Sequence, residues 1–199
     1  PPQVKTLKAA VVDRREAMQL LMGYNSFNGY VWNKLFDLQL IRENDIRFHA
    51  DYPACEDTMF VGSYLYHCSR VCVTEECLYC YRQVSGGANR GRYSGRKAYD
   101  PKWMSVFEMT EYMADLYKDD AVTAACRLHE VREAGIVLRS MEAAGYHGAD
   151  HARLKGILRR GASLFFRDEN SGRSQKLSVL LSCISPKLEL AVWKLRNRK

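Results

Sequence analysis

Several features that commonly place a protein in a class are missing from this 199-residue chain. No run approaches the roughly 20 consecutive apolar residues of a membrane-spanning helix, so we expect the chain not to cross a bilayer. It opens on Pro1-Pro2 without a signal-peptide pattern, which is typical of a cut end rather than a natural start. No internal repeat or low-complexity stretch is present either. What remains is one domain of ordinary size, long enough to bury a core without a metal or disulfide staple.

The seven cysteines also lack the spread of a disulfide framework. Their odd number favours reduced thiols and a cytoplasmic setting. Five of them lie between Cys55 and Cys80, and the last two form a C-x-x-C pair that is typical of zinc half-sites. Because the strands predicted below would hold these sulfurs apart, we expect no metal site in this chain. His147 and His151 stand four residues apart, but the glutamate that a zincin motif places after the first histidine is absent.

Positive charge is plentiful and unevenly distributed, with a net charge of +7. Residues 82–102 carry six Lys and Arg against one Asp, and residues 151–199 carry twelve against three acidic residues. The distribution predicts a polyanionic partner, for which nucleic acid, an anionic membrane surface and substrate diphosphates are the candidates. The last predicted helix, with Trp193 and leucines beside basic residues, suits contact with a membrane surface, although a single amphipathic helix more often belongs to a protein core.

The first part of the chain reads as short strands between helices. Trp32 opens a predicted helix, Ile46–Phe48 alternates as a strand does, and Glu56-Asp57 heads a second helix. Arg70–Val73 and Leu78–Arg82 then form a predicted pair of strands. Helices that alternate with strands indicate an α/β fold.

Three regions follow from this pattern. Residues 1–82 form the α/β part, residues 83–102 form a basic loop rich in Gly and Arg, and residues 103–199 form a helical region with a basic end. Four glycines exclude regular structure from the loop. It is either a flap that orders over a phosphate or acceptor, or a solvated linker.

Asp57 is the carboxylate on which a catalytic interpretation depends. At a helix N-terminus the dipole and the free N–H groups favour its charged form, as a catalytic base requires. Asp is equally a preferred helix cap, so the residue alone leaves both roles open.

Five short motifs resemble family 2 glycosyltransferases, the inverting enzymes of the GT-A type. They occur in the expected order as W-N-K-L-F at 32–36, I-R-F at 46–48, C-E-D at 55–57, L-Y-C-Y-R at 78–82 and I-S-P-K-L at 184–188. The resemblance implies the acceptor-side half of a GT-A-like, Rossmann-like domain with short strands, followed by a helical C-terminal region.

The same resemblance assigns roles to particular residues. It makes Asp57 the base that deprotonates the acceptor hydroxyl. It implies acceptor binding by Trp32, Asn33, Lys34 and Glu56, and phosphate binding by Arg82, to which the basic loop would add Arg90, Arg92 and Arg96. The implied partners are a nucleotide-sugar donor and a polysaccharide or lipid-linked acceptor, on the cytoplasmic side and peripheral to the inner face of the membrane.

One departure from the family is plain. The Asp-x-Asp that holds Mg²⁺ or Mn²⁺ against the donor diphosphate does not occur in the sequence, and neither do the strands that precede it. The chain is therefore expected to be either a piece of the enzyme, with the donor-binding half and the metal ligands outside it, or a degenerate member of the family. The alternatives are a non-enzymatic, basic nucleic-acid-binding protein, which we expect less, and a non-catalytic assembly module of the same fold.

Overall fold

The computed structural model describes residues 9–23, 27–74, 76, 78–82 and 99–197. Helices make up 65% of the described residues, which form eight α-helices, one 3-10 helix and a sheet of only two strands. The prediction of an α/β, Rossmann-like fold is therefore wrong. A GT-A-like half-domain needs several strands in one sheet, and the described part of the chain pairs a single strand with one other.

The chain divides into two compact units. The first comprises residues 1–82 and 108–126, and the second comprises residues 83–107 and 127–199. The elements of the first part of the chain are, in order, β1 (Ala10–Val12), α1 (Arg14–Met22), α2 (Leu38–Glu43), α3 (Glu56–Tyr66) and β2 (Val71–Val73). They are followed by a 3-10 helix (Pro101–Met104), α4 (Ser105–Tyr117), α5 (Asp120–Ala144), α6 (Ala149–Arg167), α7 (Arg173–Ile184) and α8 (Pro186–Arg196).

The helix starts follow local rules. Asp13 caps α1, because its side chain accepts a hydrogen bond from the backbone N–H of Glu16 at 2.8 Å. In α8, Pro186 occupies the first turn and the Ser185 hydroxyl accepts from the N–H of Leu188. The sequence itself marks both starts, the first by the spacing of Asp13 from Glu16 and the second by Pro186.

Two predicted strands are wrong, and one predicted helix begins later than expected. Residues 46–48 and 78–82 have no regular structure, and β2 pairs in antiparallel fashion with β1 instead, with Val11 opposite Cys72. Residues 31–33 form a turn, and helix α2 begins only at Leu38. The later start has a local cause, since the Asp37 side chain accepts from the N–H of Gln39 and caps the helix there.

The core of the first unit lies between α1, α3 and α4. Fully buried methionines and aliphatic side chains fill it, namely Met18, Leu21, Met22, Met59, Val61, Met109 and Met113. At Gly62 a Cβ atom would lie 2.7 Å from the Met113 side chain, so glycine permits the close approach of α3 to α4. The phenol of Tyr117 donates to the Gly62 carbonyl at 2.9 Å and adds a polar contact at the same crossing.

In the second unit, α6, α7 and α8 follow one another as packed helices beside the C-terminal part of α5. Val131, Leu138, Leu154, Leu158 and Phe165 are buried in its core. Gly161 of α6 lies against the Val131 side chain, where a larger residue would collide. Apolar residues three and four apart on α6 produce this buried face, and exposed basic residues occupy the opposite one.

A buried ion pair joins three helices of the second unit. Arg139 of α5 donates from Nε to both carboxylate oxygens of Glu189 in α8, at 2.9 and 3.1 Å. Ser178 of α7 donates to the same carboxylate at 2.6 Å. The Arg139 guanidinium also lies 5.2 Å from the centre of the Trp193 ring, so this tryptophan contacts α5.

Two further expectations concern the setting of the protein. Among the described helices, none combines the length and the apolar character that crossing a membrane requires. The six cysteines within the described residues are thiols rather than disulfides.

Candidate functional site

A lysine organises the loop that precedes α2. The Lys34 ammonium donates to the backbone carbonyls of Asn28 and Tyr30, each at 2.7 Å, and to the carbonyl of Phe27 at 3.2 Å. It also donates to the Asn33 side-chain oxygen at 2.8 Å. The turn of residues 27–34 thus folds around the Lys34 ammonium. Trp32 lies between Tyr30 and Asn33, which both accept hydrogen bonds from this lysine, so these bonds fix its position.

Burial lowers the pKa of Lys34 to about 8, while the negative charge of Asp57 acts in the opposite direction. Lys34 and Asp57 lie on separate segments of the chain, and their charges are close enough to interact. Gly29 of the same loop lies against Thr58, the neighbour of Asp57, with no room for a Cβ atom. The loop is therefore packed against the N-terminus of α3.

Four aromatic rings meet above this loop, and we call them the aromatic cluster: Tyr30, Trp32, Tyr79 and Tyr81. Trp32 is stacked with Tyr30 and with Tyr81, in each case with 5.0 Å between ring centres, and the Tyr79 ring lies 4.8 Å away at a tilt. Trp32 is half-buried. The tyrosines are 42%, 54% and 57% exposed, so the cluster presents a substantial aromatic surface to solvent.

Asp57 lies within the first turn of α3 and does not cap it. The N-cap position belongs to Cys55, whose side chain makes no capping hydrogen bond. Asp57 itself is half-buried and forms no hydrogen bond or salt bridge with any residue that the structure describes. Asp57 is therefore not the N-cap of α3.

The structure brings together many of the residues selected from the sequence. Trp32 contacts Tyr79 and Tyr81, and Lys34 interacts with Asp57. Glu56 and Arg82 are exposed on the segments that carry these residues, next to Asp57 and Tyr81.

Two members of the predicted acceptor site are already engaged within the protein. Lys34 uses its ammonium to hold the loop, and the Asn33 amide donates to the Phe27 carbonyl at 3.2 Å. Their contribution to the site is to position Trp32. Arg90, Arg92 and Arg96 lie outside the described residues.

Sequence reasoning missed Tyr30 as a member of the cluster. It precedes Trp32 by two residues, and its ring is presented to the same neighbours because the loop turns about Lys34. An aromatic residue two positions from the motif tryptophan was the available signal. The sequence alone gave no sign that the chain would turn there instead of entering a helix.

The carboxylates of this site do not form a metal centre. Glu56 is exposed and Asp57 half-buried, and neither belongs to a set of three converging ligands among the described residues. A divalent cation of the kind that the glycosyltransferase resemblance implies does not fit these residues. The group of ligand-type side chains that does converge is in the second unit, at Glu142, His147 and His151.

No protein-family model, no curated protein and no solved structure matches this chain.

Proposed function

We propose that this chain supplies the acceptor-side site of an inverting glycosyltransferase, with Asp57 as the base. One observation carries the proposal. Trp32 contacts Tyr79 and Tyr81, and Lys34 of the same loop interacts electrostatically with Asp57, so the segments on which the resemblance to family 2 enzymes rests meet at this loop. The proposal concerns the site and its chemistry, because the fold expected from that family is not the one found.

The aromatic cluster suits a saccharide. Aromatic faces carry partial negative charge, and the C–H groups on one face of a sugar ring carry partial positive charge, so the two stack favourably. Exposed tyrosines and a half-buried tryptophan provide such faces beside a carboxylate. We expect a sugar stacked on the cluster to present a hydroxyl group to Asp57, because this carboxylate interacts electrostatically with Lys34 of the loop that carries Trp32.

The chemistry needs a base and a positive charge. Asp57 would accept the proton of the acceptor hydroxyl as that oxygen attacks the anomeric carbon of the donor. Arg82, exposed next to Tyr81, would stabilise the departing diphosphate. No step is assigned to Mg²⁺ or Mn²⁺, since the carboxylates present do not fit such an ion. The proposal places the reaction in the cytoplasm, at the inner face of the membrane when the acceptor is lipid-linked.

Saccharide binding is the first test. The protein is applied to a glycan array, and the best ligand is titrated while intrinsic fluorescence is followed. We expect Trp32→Leu and Tyr81→Ala to abolish binding, because each removes a stacking face. Tyr112→Ala is the matched control, since this tyrosine is also exposed in the first unit but lies outside the cluster. Absence of glycan binding, or equal losses in the control, would refute the proposal.

The second test separates catalysis from binding. Release of nucleoside diphosphate is measured with a panel of nucleotide sugars and the glycan identified on the array, in the protein that contains the donor-binding residues. Asp57→Asn keeps the shape of the side chain but cannot accept the proton, so we expect transfer to stop while glycan binding persists. Near-normal turnover by this variant would remove Asp57 as the base. Binding without transfer by the unaltered protein would leave a non-catalytic saccharide-binding module.

A second candidate function is binding of single-stranded nucleic acid. Bases stack on exposed aromatic rings as sugars do, and α6 exposes Arg153, Arg159 and Arg160 on the face opposite its core residues. Contacts with phosphates would make binding to oligonucleotides fall steeply with salt. Salt-insensitive glycan binding together with weak oligonucleotide binding favours the glycosyltransferase, and the reverse pattern favours the nucleic-acid protein.

A further inference from the structure

The turn between α5 and α6 brings two histidines to one glutamate. Glu142 lies in the last turn of α5, His147 in the connecting residues, and His151 in the first turn of α6. The distance between His151 Nε2 and a Glu142 carboxylate oxygen is 2.8 Å, and His147 Nδ1 lies 3.9 Å from the same oxygen. One ligand atom from each residue lies within 4.8 Å of the other two.

Burial distinguishes this cluster from a surface group of charges. The Glu142 side chain is only 4% exposed and that of His151 is 14% exposed, whereas His147 is 48% exposed. A buried carboxylate is costly unless a cation or hydrogen-bond donors compensate it. Among the described residues, the His151 imidazole lies at hydrogen-bond distance from this carboxylate, while the His147 imidazole faces the same oxygen from 3.9 Å.

A neighbouring carboxylate is already engaged. Asp150 accepts a hydrogen bond from the Tyr99 phenol at 2.9 Å, and the Tyr99 ring lies against Tyr146 in the same turn. Asp150 therefore supports the turn and is not counted as a ligand. The cluster has three protein ligands and one exposed side, through His147, at which water has access.

We propose that Glu142, His147 and His151 bind a divalent transition-metal ion of the zinc class. Two imidazoles and a carboxylate form a known zinc ligand set, and three protein ligands leave the fourth tetrahedral position to water. With metal–ligand distances near 2.0–2.1 Å, ligand atoms in a tetrahedral site lie about 3.3 Å apart. The observed 2.8 and 3.9 Å fall on either side of that value, so small side-chain movements would complete the site.

The ligand types also select the ion. Imidazole nitrogen suits zinc, copper and nickel, while magnesium and calcium prefer sites built from oxygen alone. An ion here would join the end of α5 to the start of α6 across four connecting residues. The site is independent of the glycosyltransferase proposal, since it lies in the other unit and uses none of the same residues.

The test is metal binding by the full chain without a histidine tag. Zn²⁺ is titrated by calorimetry, Tm is measured with and without Zn²⁺, and Co²⁺ is used as a spectroscopic probe. We expect one ion per chain, a higher Tm with Zn²⁺, and a Co²⁺ spectrum of tetrahedral nitrogen and oxygen ligands without thiolate charge-transfer bands. The absence of thiolate bands excludes binding at Cys72 and Cys80, which are exposed thiols.

The variants distinguish a metal site from a simple hydrogen-bonded clamp. Loss of an outer-shell partner typically weakens metal binding by about 10–100-fold, so loss of a ligand, as in His147→Gln, should weaken Zn²⁺ binding at least that much. At 3.9 Å His147 is too far from Glu142 for a hydrogen bond, so this variant should fold with an unchanged metal-free Tm. Glu142→Gln and His151→Gln should also lose the ion, with some loss of stability.

His67→Gln is the matched control, because His67 is an exposed histidine of the first unit. We expect it to bind Zn²⁺ as the unaltered protein does. Zn²⁺ affinity that is unchanged in His147→Gln, thiolate bands in the Co²⁺ spectrum, or no binding at all would overturn the proposal and leave Glu142 and His151 as a hydrogen-bonded clamp.

Discussion

The buried ion pair of the second unit allows a quantitative prediction. Arg139→Met removes the guanidinium that donates to Glu189 while keeping a side chain long enough to pack near Trp193. The pair is well shielded, with Arg139 12% exposed and Glu189 3% exposed. After the substitution, Ser178 is the remaining described donor to a buried carboxylate. Breaking a buried pair from one side costs about 3–5 kcal/mol, and we expect the free energy of unfolding to fall by that amount.

The assay is urea unfolding followed by tryptophan fluorescence in a Trp32→Phe background. The signal then comes from Trp103 and Trp193, which both belong to the second unit. Arg196→Met is the matched control, since Arg196 makes an exposed hydrogen bond to Ser174 in the same unit. An exposed contact of this kind contributes about 0–1 kcal/mol.

A double-mutant cycle completes the test. Replacing both charges, as in Arg139→Met with Glu189→Met, removes the unpaired carboxylate and should restore much of the lost stability. If Arg139→Met alone costs less than about 1 kcal/mol, like the exposed control, the guanidinium does not compensate a desolvated charge and the reasoning fails.

Two further predictions use single side chains. The Cε NMR signal of Lys34 should titrate with a midpoint near pH 8. Asp57→Asn should lower that midpoint, because it removes the negative charge that raises the pKa of Lys34. A midpoint near 10.4, the ordinary pKa of lysine, would contradict the argument that burial lowers it. Between these two pH values the Lys34 amine is protonated in the unfolded chain and largely deprotonated in the folded protein. The free energy of unfolding should therefore rise with pH across this range. Ser182→Ala removes a buried hydroxyl that has no partner among the described residues, so we expect stability to be kept or raised by up to about 1 kcal/mol in urea unfolding. Ser178→Ala, which loses a 2.6 Å hydrogen bond to Glu189, should be destabilised instead.

The helical part of the fold was predictable because its signals are local. Asp13 caps α1 as its spacing from Glu16 indicates, α3 begins at Glu56, and α8 begins at Pro186. A helix forms its hydrogen bonds within one segment, so capping residues and periodic apolar positions mark it directly.

The fold class was not predictable for the opposite reason. A strand needs a partner from elsewhere in the chain, and three alternating residues at 46–48 do not show whether one is available. Ile46 is buried, but it packs against Phe60 and Tyr64 in a side-chain cluster rather than in a sheet. Similarly, Val71–Val73 is a strand as expected, yet it pairs with Ala10–Val12, about 60 residues earlier, and not with residues 78–82.

For the candidate sites, sequence alone selected residue types and segments. It indicated Trp32, Asp57 and the Tyr79–Tyr81 segment as one set, and their role in glycosyl transfer stays a prediction. The contacts of Trp32 with Tyr79 and Tyr81, and the interaction of Asp57 with Lys34, were decided by the tertiary structure through the loop folded around Lys34. The same holds for Arg139 and Glu189, which are 50 residues apart, and for Glu142 with its two histidines. Helix capping and the spacing of apolar residues depend on residues close together in the sequence, so the sequence shows them directly. Contacts between side chains that are distant in sequence form only when the helices pack.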